Sequence, residues 1–160
     1  MIHTTHTTTK LMPVLALLTL PCVTYGADAC QMVTKAEMSG LLGAEITQVE
    51  ILQIGEGAAS VCHFVTGEPP QSPSAILIVT ESQGVDAIAQ WCEGVQKLEG
   101  IGDQACAESA VNATSVAASK GDLAVRVILF YPPDRIAEPH SAAKKATQKA
   151  LDRMRGLQIL

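Results

Sequence analysis

Five cysteines punctuate the 160-residue chain, and the fate of the first decides how the others constrain the fold. Cys22 sits behind a stretch that reads as a secretory leader: a Thr/His-rich start, Lys10 as its only Lys or Arg, and the apolar run LMPVLALLTL over residues 11–20. A membrane-crossing helix needs about 20 apolar residues, so this shorter run reads as a cleavable segment. Thr24-Tyr25-Gly26 is the preferred cleavage site, while Ala27-Asp28-Ala29 also satisfies the small-residue rule and would leave Cys30 first. Residues 1–26 are therefore expected to be a signal peptide and residues 27–160 a single extracytoplasmic domain, an ordinary size for one folding unit.

Cleavage removes Cys22 and leaves Cys30, Cys62, Cys92 and Cys106. An even number of cysteines in an oxidising compartment implies two disulfides. Of the possible connectivities, Cys30 with Cys62 and Cys92 with Cys106 joins neighbouring elements, and each closed loop contributes roughly 3 kcal/mol in the chain-entropy picture. Three other uses of these thiols are disfavoured. Lipid attachment is poorly served, because Cys22 follows Pro21, a poor residue beside the bond to be cut, and Cys30, although it follows Ala29 acceptably, has Asp28 and Ala27 where apolar residues are usual. A metal site needs short local ligand spacings, and here the cysteines lie far apart with His63 and His140 as the only histidines past the leader. Redox or haem attachment needs C-x-x-C or C-x-x-C-H, which the Cys62-His63 pair does not complete. No metal and no cofactor are expected, and His63 is expected to be a solvated or hydrogen-bonded strand residue.

Periodicity divides the domain into helices and short strands. Thr34 and Glu37 form a capping-box pattern ahead of Met38, Leu41 and Leu42, with Gly43 placed as a left-handed stop. A β-rich stretch through Ile46, Val49, Ile51, Leu52 and Ile54 ends at Gly55-Glu56-Gly57. Strands over 59–66 and 74–81 follow, separated by the proline-rich loop 67–73. Three-to-four spacing of Val85, Ile88, Ala89 and Cys92 predicts a helix over 84–97 bordered by Trp91. Further strands are expected over 104–109, 113–119 and 123–130, with Ser119-Lys120-Gly121-Asp122 as a hairpin turn. A final helix is expected from Pro139 to Arg155, stopped by Gly156, with Ala143, Ala146, Ala150, Met154 and Leu157 as its packed stripe. The expected fold is α+β: an antiparallel sheet of about six strands with helices packed on it. The order hints at a duplicated αβββ unit, although TKAEMSGLLG and VDAIAQWCEG share too little to count as a repeat.

Charge is unevenly placed. Overall there are 16 acidic and 11 basic residues, a formal net charge of -5 that lacks the basic excess of a sequence-independent nucleic-acid binder. Residues 27–125 hold 13 acidic and 3 basic side chains, whereas 126–160 hold 3 acidic and 7 basic. Lys144, Lys145, Lys149, Arg153 and Arg155 suit the wet face of the last helix, where basic groups near its carboxyl end favour the helix dipole. A functional use of Lys145, Lys149 and Arg153 would be docking of an acidic partner, with electrostatic steering of the encounter. On that reading, reversing all three to glutamate leaves folding intact and weakens partner capture.

The chain resembles a group of small secreted or lipoprotein-type domains of the bacterial envelope, best known from actinobacteria. The resemblance rests on Cys30-x-x-x-Thr34-x-x-Glu37 ending at Leu41-Leu42-Gly43, on Cys62 within a strand, on Gly100-Ile101-Gly102-Asp103-Gln104-Ala105, and on Lys120-Gly121-Asp122. It spans most of the domain and implies an extracytoplasmic α+β fold with disulfides, without supplying catalytic residues. The chain departs from that group in lacking a convincing lipid-attachment signal.

No G-x-S-x-G elbow, phosphate loop, dinucleotide fingerprint or H-E-x-x-H occurs in the sequence. A serine or cysteine hydrolase would have to use His63 or His140. Asp103 reads as a turn or strand-entry residue. The expectation is a non-catalytic exported envelope binding or accessory module, periplasmic or secreted, for an envelope protein or small ligand. A periplasmic inhibitor or immunity-type protein is the alternative, and a small hydrolase ranks below both.

Overall fold

The computed structural model describes residues 28–52, 59–68, 71–81, 84–133 and 136–157. The leader with its preferred cleavage site, Ile54 with Gly55-Glu56-Gly57, and the side chains of Val85, Arg155 and Leu157 lie outside the described residues, whereas Asp28 and Ala29 of the second cleavage site lie within them.

Eleven elements follow one another: α1 (Ala29–Met32), α2 (Lys35–Leu42), β1 (Gln48–Leu52), β2 (Ala59–Val65), β3 (Ser74–Thr80), α3 (Gly84–Trp91), β4 (Gln96–Lys97), β5 (Gln104–Ala110), β6 (Ala113–Lys120), β7 (Leu123–Phe130) and α4 (Pro139–Leu157). The strands form one seven-stranded sheet in the order β1-β2-β3-β7-β6-β5-β4, and every neighbouring pair is antiparallel. Strands consecutive in the chain lie side by side in two meanders, which meet where β3 pairs with β7. The seventh strand is β4, which falls inside the span expected to be helical. The helix stops at Trp91 instead because Cys92 is bonded to Cys106, Gly94 turns left-handed at φ 71°, and Lys97 then pairs with Cys106.

One face of the sheet carries most of the core. Leu123, Val125, Val127 and Leu129 of β7, with Phe64 and Leu77, are buried against Met32, Met38, Leu42, Leu151 and Met154 of α1, α2 and α4. Each such side chain, fully removed from water, stabilises the fold by about 1.5–3 kcal/mol. Ala143, Ala146 and Ala150 are completely buried, and these small residues let α4 lie close over β6 and β7. The helix continues through Gly156 to Leu157, past the glycine expected to stop it. Gly156 shows no left-handed φ. Glycine permits a left-handed turn without enforcing one.

The opposite face is only partly covered by the described residues. There α3 places Ile88 on Cys106 and Ala117, with Trp91, Cys92 and Val95 around them. Three strands lie on one side of the β3/β7 junction and four on the other, and α2 and α3 lie on opposite faces, so the two halves are not copies of one αβββ unit. Each disulfide stitches a helix to its own face: Cys30 to Cys62 on the core side and Cys92 to Cys106 on the other. These are the pairs expected from the sequence.

Local sequence accounts for several ends. The Thr34 hydroxyl accepts from the Glu37 backbone N–H, the Glu37 carboxylate accepts from the Thr34 N–H, and Gly43 closes α2 at φ 65°. The Gly-Ile-Gly-Asp and Lys-Gly-Asp segments meet in space. Asp103 N–H donates to the Ser119 carbonyl at 2.7 Å, and its Oδ2 accepts from the Gly121 N–H at 2.9 Å. Asp103 is thus a strand-entry residue that clamps the β6–β7 hairpin.

Candidate functional site

The three basic residues singled out from the sequence occupy two environments. Arg153 holds both oxygens of Glu37, with Nη2 to Oε1 and Nη1 to Oε2 each at 2.8 Å. Its Nη1 also donates to the Met32 carbonyl at 2.9 Å. Lys149 Nζ adds a contact to Glu37 Oε1 at 3.1 Å. This network fastens the start of α2 to α4. Lys145 is exposed and borders a hollow of about 370 Å³ between α2 and the start of α4. Reversing all three residues to glutamate would set two new carboxylates against Glu37, so that substitution perturbs the fold as well as the surface.

The Arg153 guanidinium, first of all, and then the Thr34 N–H hold the Glu37 carboxyl well below its ordinary value of 4.5, with the Thr34 hydroxyl and Lys149 adding to the effect against partial burial. A depressed folded-state value means that the stabilisation is complete above about pH 4.5 and is lost as pH falls below that, when the unfolded chain binds the proton first. Glu37→Gln should therefore lower stability by about 1–2 kcal/mol at pH 7, a range discounted for the partly exposed partners. Denaturant melts should show the gap between variant and parent narrowing from pH 4.5 towards pH 2. A constant gap would mean that the carboxylate's charge is not what matters.

His63 Nδ1 lies 3.4 Å from Glu50 Oε2. The sheet register sets these two in a row that crosses six strands: Glu50, His63, Ile76, Ile128, Ser115 and Glu108. Directly paired residues share a face, and this is the face that α3 covers in part. Ser115 is three strand spacings from His63, about 14 Å at ordinary inter-strand distances, so the two cannot act as a nucleophile and its base. Among the described residues, no group of three or more His, Cys, Asp and Glu side chains is gathered for a metal ion.

Among the described residues, the part of that face left uncovered carries two hollows, which together make a trough with a cation at one end. Arg126 is the register partner of Ala117, so it borders the ground covered by α3. Its Nη2 lies 3.4 Å from Glu108 Oε2 and 3.3 Å from Ser115 Oγ. Its Nε is buried without a hydrogen-bond partner among the described residues. Beside it lies a hollow of about 170 Å³ lined by Glu108, Ala110, Ala113, Ser115, Arg126 and Ile128. Next along β7, Ile128 is half-buried and Phe130 is 41% exposed. Beyond Phe130 a larger hollow of about 430 Å³ is walled mainly by Ser74, Tyr131, Pro132 and Pro133. The Tyr131 hydroxyl is hydrogen-bonded to Thr114 Oγ1 at 2.7 Å, which anchors that wall to β6.

Sequence reading misses this trough. The alternation of Arg126, Ile128 and Phe130 against Val125, Val127 and Leu129 is visible in the sequence, but only the pairing of β7 with β3 and β6 shows what lies beside them. No protein-family model, curated protein or solved structure matches the chain.

Proposed function

We propose that the chain is an exported, non-catalytic binding module of the bacterial envelope, and that the uncovered trough on the sheet is its binding surface. The observation that carries this reading is the combination on one face of an exposed Phe130, a hollow in the size range of small-ligand sites, and a cation incompletely compensated by the fold. The secretory-type leader and the two disulfides support export. The inhibitor reading draws support from Val111, which is 88% exposed at the tip of the β5–β6 hairpin. An apolar hairpin tip suits insertion into a partner's cleft.

An environment-sensitive apolar dye tests the trough directly. The oxidised protein should bind the dye at one site, and Phe130→Glu should weaken that binding at least tenfold without shifting the melting temperature beyond a few degrees. Lys145→Glu should leave dye binding unchanged. Equal dye binding by the parent and Phe130→Glu would remove the trough from the account.

A further inference from the structure

Resting on the trough as the binding surface, we infer that its ligand is an amphiphile with a carboxylate head and an unbranched aliphatic chain, the head at Arg126 and Ser115 and the chain along Ile128 and Phe130. Three observations select that chemistry. First, Arg126 is a cation whose ion pair with Glu108 is a stretched 3.4 Å contact to a side chain 61% exposed. Its inner Nε–H is shut in without an acceptor among the described residues. A half-buried cation so weakly compensated favours an anion at its accessible nitrogens, with the Ser115 hydroxyl beside it as a second donor.

Second, the surface between the two hollows is aliphatic and aromatic. Ile76, Ile128, Ala113 and Phe130 are cross-strand neighbours on the same face. A peptide laid there would lose water from its N–H and C=O groups against side chains that offer no hydrogen bonds, whereas a methylene chain loses nothing of the kind. Third, the dimensions agree. The guanidinium lies beside Ser115, the register partner of Ile128, which is two residues or about 7 Å along the strand from Phe130, and the larger hollow beyond receives the rest of the chain. Glu108 competes with the ligand for Arg126, and its exposure allows it to swing into water when a carboxylate arrives.

Calorimetric titration of the oxidised protein with decanoate below its micelle concentration, with decanol and with acetate tests the inference. Decanoate should bind at least tenfold more tightly than decanol, and acetate should show no measurable binding. Arg126→Met should abolish the preference for decanoate over decanol while keeping decanol affinity within about twofold. Glu108→Gln should strengthen decanoate binding two- to fivefold, an effect that a purely structural role for the Arg126–Glu108 pair would not produce. Equal affinity for decanoate and decanol, a preference that survives Arg126→Met, or absence of binding by either chain while the dye still binds would each overturn the carboxylate assignment and leave the trough reading standing. Loss of dye, decanol and decanoate binding together would overturn both.

Discussion

Replacing Gly102 with alanine should destabilise the domain by about 2–4 kcal/mol, more than most single substitutions outside the core. Two penalties coincide at this position. Gly102 sits at φ 57°, where a side chain is strained by roughly 1–2 kcal/mol. An added Cβ would also fall on the Ser119 carbonyl oxygen, part of the β6 backbone and unable to swing aside. That same carbonyl accepts from the Asp103 N–H, so relieving the overlap means losing the hydrogen bond that leads the chain into β5. Gly100 supplies the control. It too has a positive φ, 78°, but no described atom beyond its immediate neighbours lies within 4 Å of the place a Cβ would take. Gly100→Ala should cost only about 1–2 kcal/mol, the conformational part alone. Guanidinium unfolding of the two variants separates the terms: equal losses would mean that the close approach to Ser119 contributes nothing.

The Gly102 environment also shows where sequence reading succeeds and where it stops. Local signals name their own structures: Thr34 with Glu37 is a capping box because both partners lie within one helical turn, and β7 alternates because one of its faces is buried. The bounds of β7 follow from that alternation and the breaker Tyr131-Pro132-Pro133. Long-range geometry leaves no such mark. Nothing in Gly-Ile-Gly-Asp announces that Asp103 will meet Gly121, and nothing in the basic stretch of α4 announces that Arg153 and Lys149 will converge on Glu37, more than a hundred residues earlier. Helical periodicity likewise carries α3 on to Lys97, because three-to-four spacing cannot register that Cys92 is tethered to β5. The one-turn α1 escapes sequence reading for a different reason. Its signal, Asp28 accepting from the Cys30 N–H, sits beside the expected leader and ahead of a segment too short to show any period. The trough is the extreme case, since its residues come from four strands, with β3 remote in sequence from β5, β6 and β7, and each looks like ordinary strand alternation alone.

Removing the Cys30–Cys62 bond should produce the other large effect. The bond closes a separation of 32 residues, worth about 3.7 kcal/mol of unfolded-chain entropy, against about 3.0 for the 14-residue separation of Cys92–Cys106. Geometry widens the difference. A four-residue helix has no stability of its own, and α1 is held by the disulfide, by Ala29 N–H donating to Ser60 Oγ at 2.9 Å, and by burial of Ala29, Met32 and Val33. If α1 lifts, the Met32 carbonyl is withdrawn from Arg153 and the Glu37 network loses one wall. The Cys30→Ala/Cys62→Ala double variant should therefore lose about 4–5 kcal/mol, towards the upper end for a native disulfide in a small domain, and Cys92→Ala/Cys106→Ala about 3. Guanidinium midpoints of the two double variants, at a shared slope, give the comparison. Because small domains are stable by only about 5–15 kcal/mol, the first variant should be partly unfolded at 37 °C and the second should remain folded. A first variant as stable as the second would show that the α1 contacts hold without the covalent tether, and that loop length alone governs both bonds.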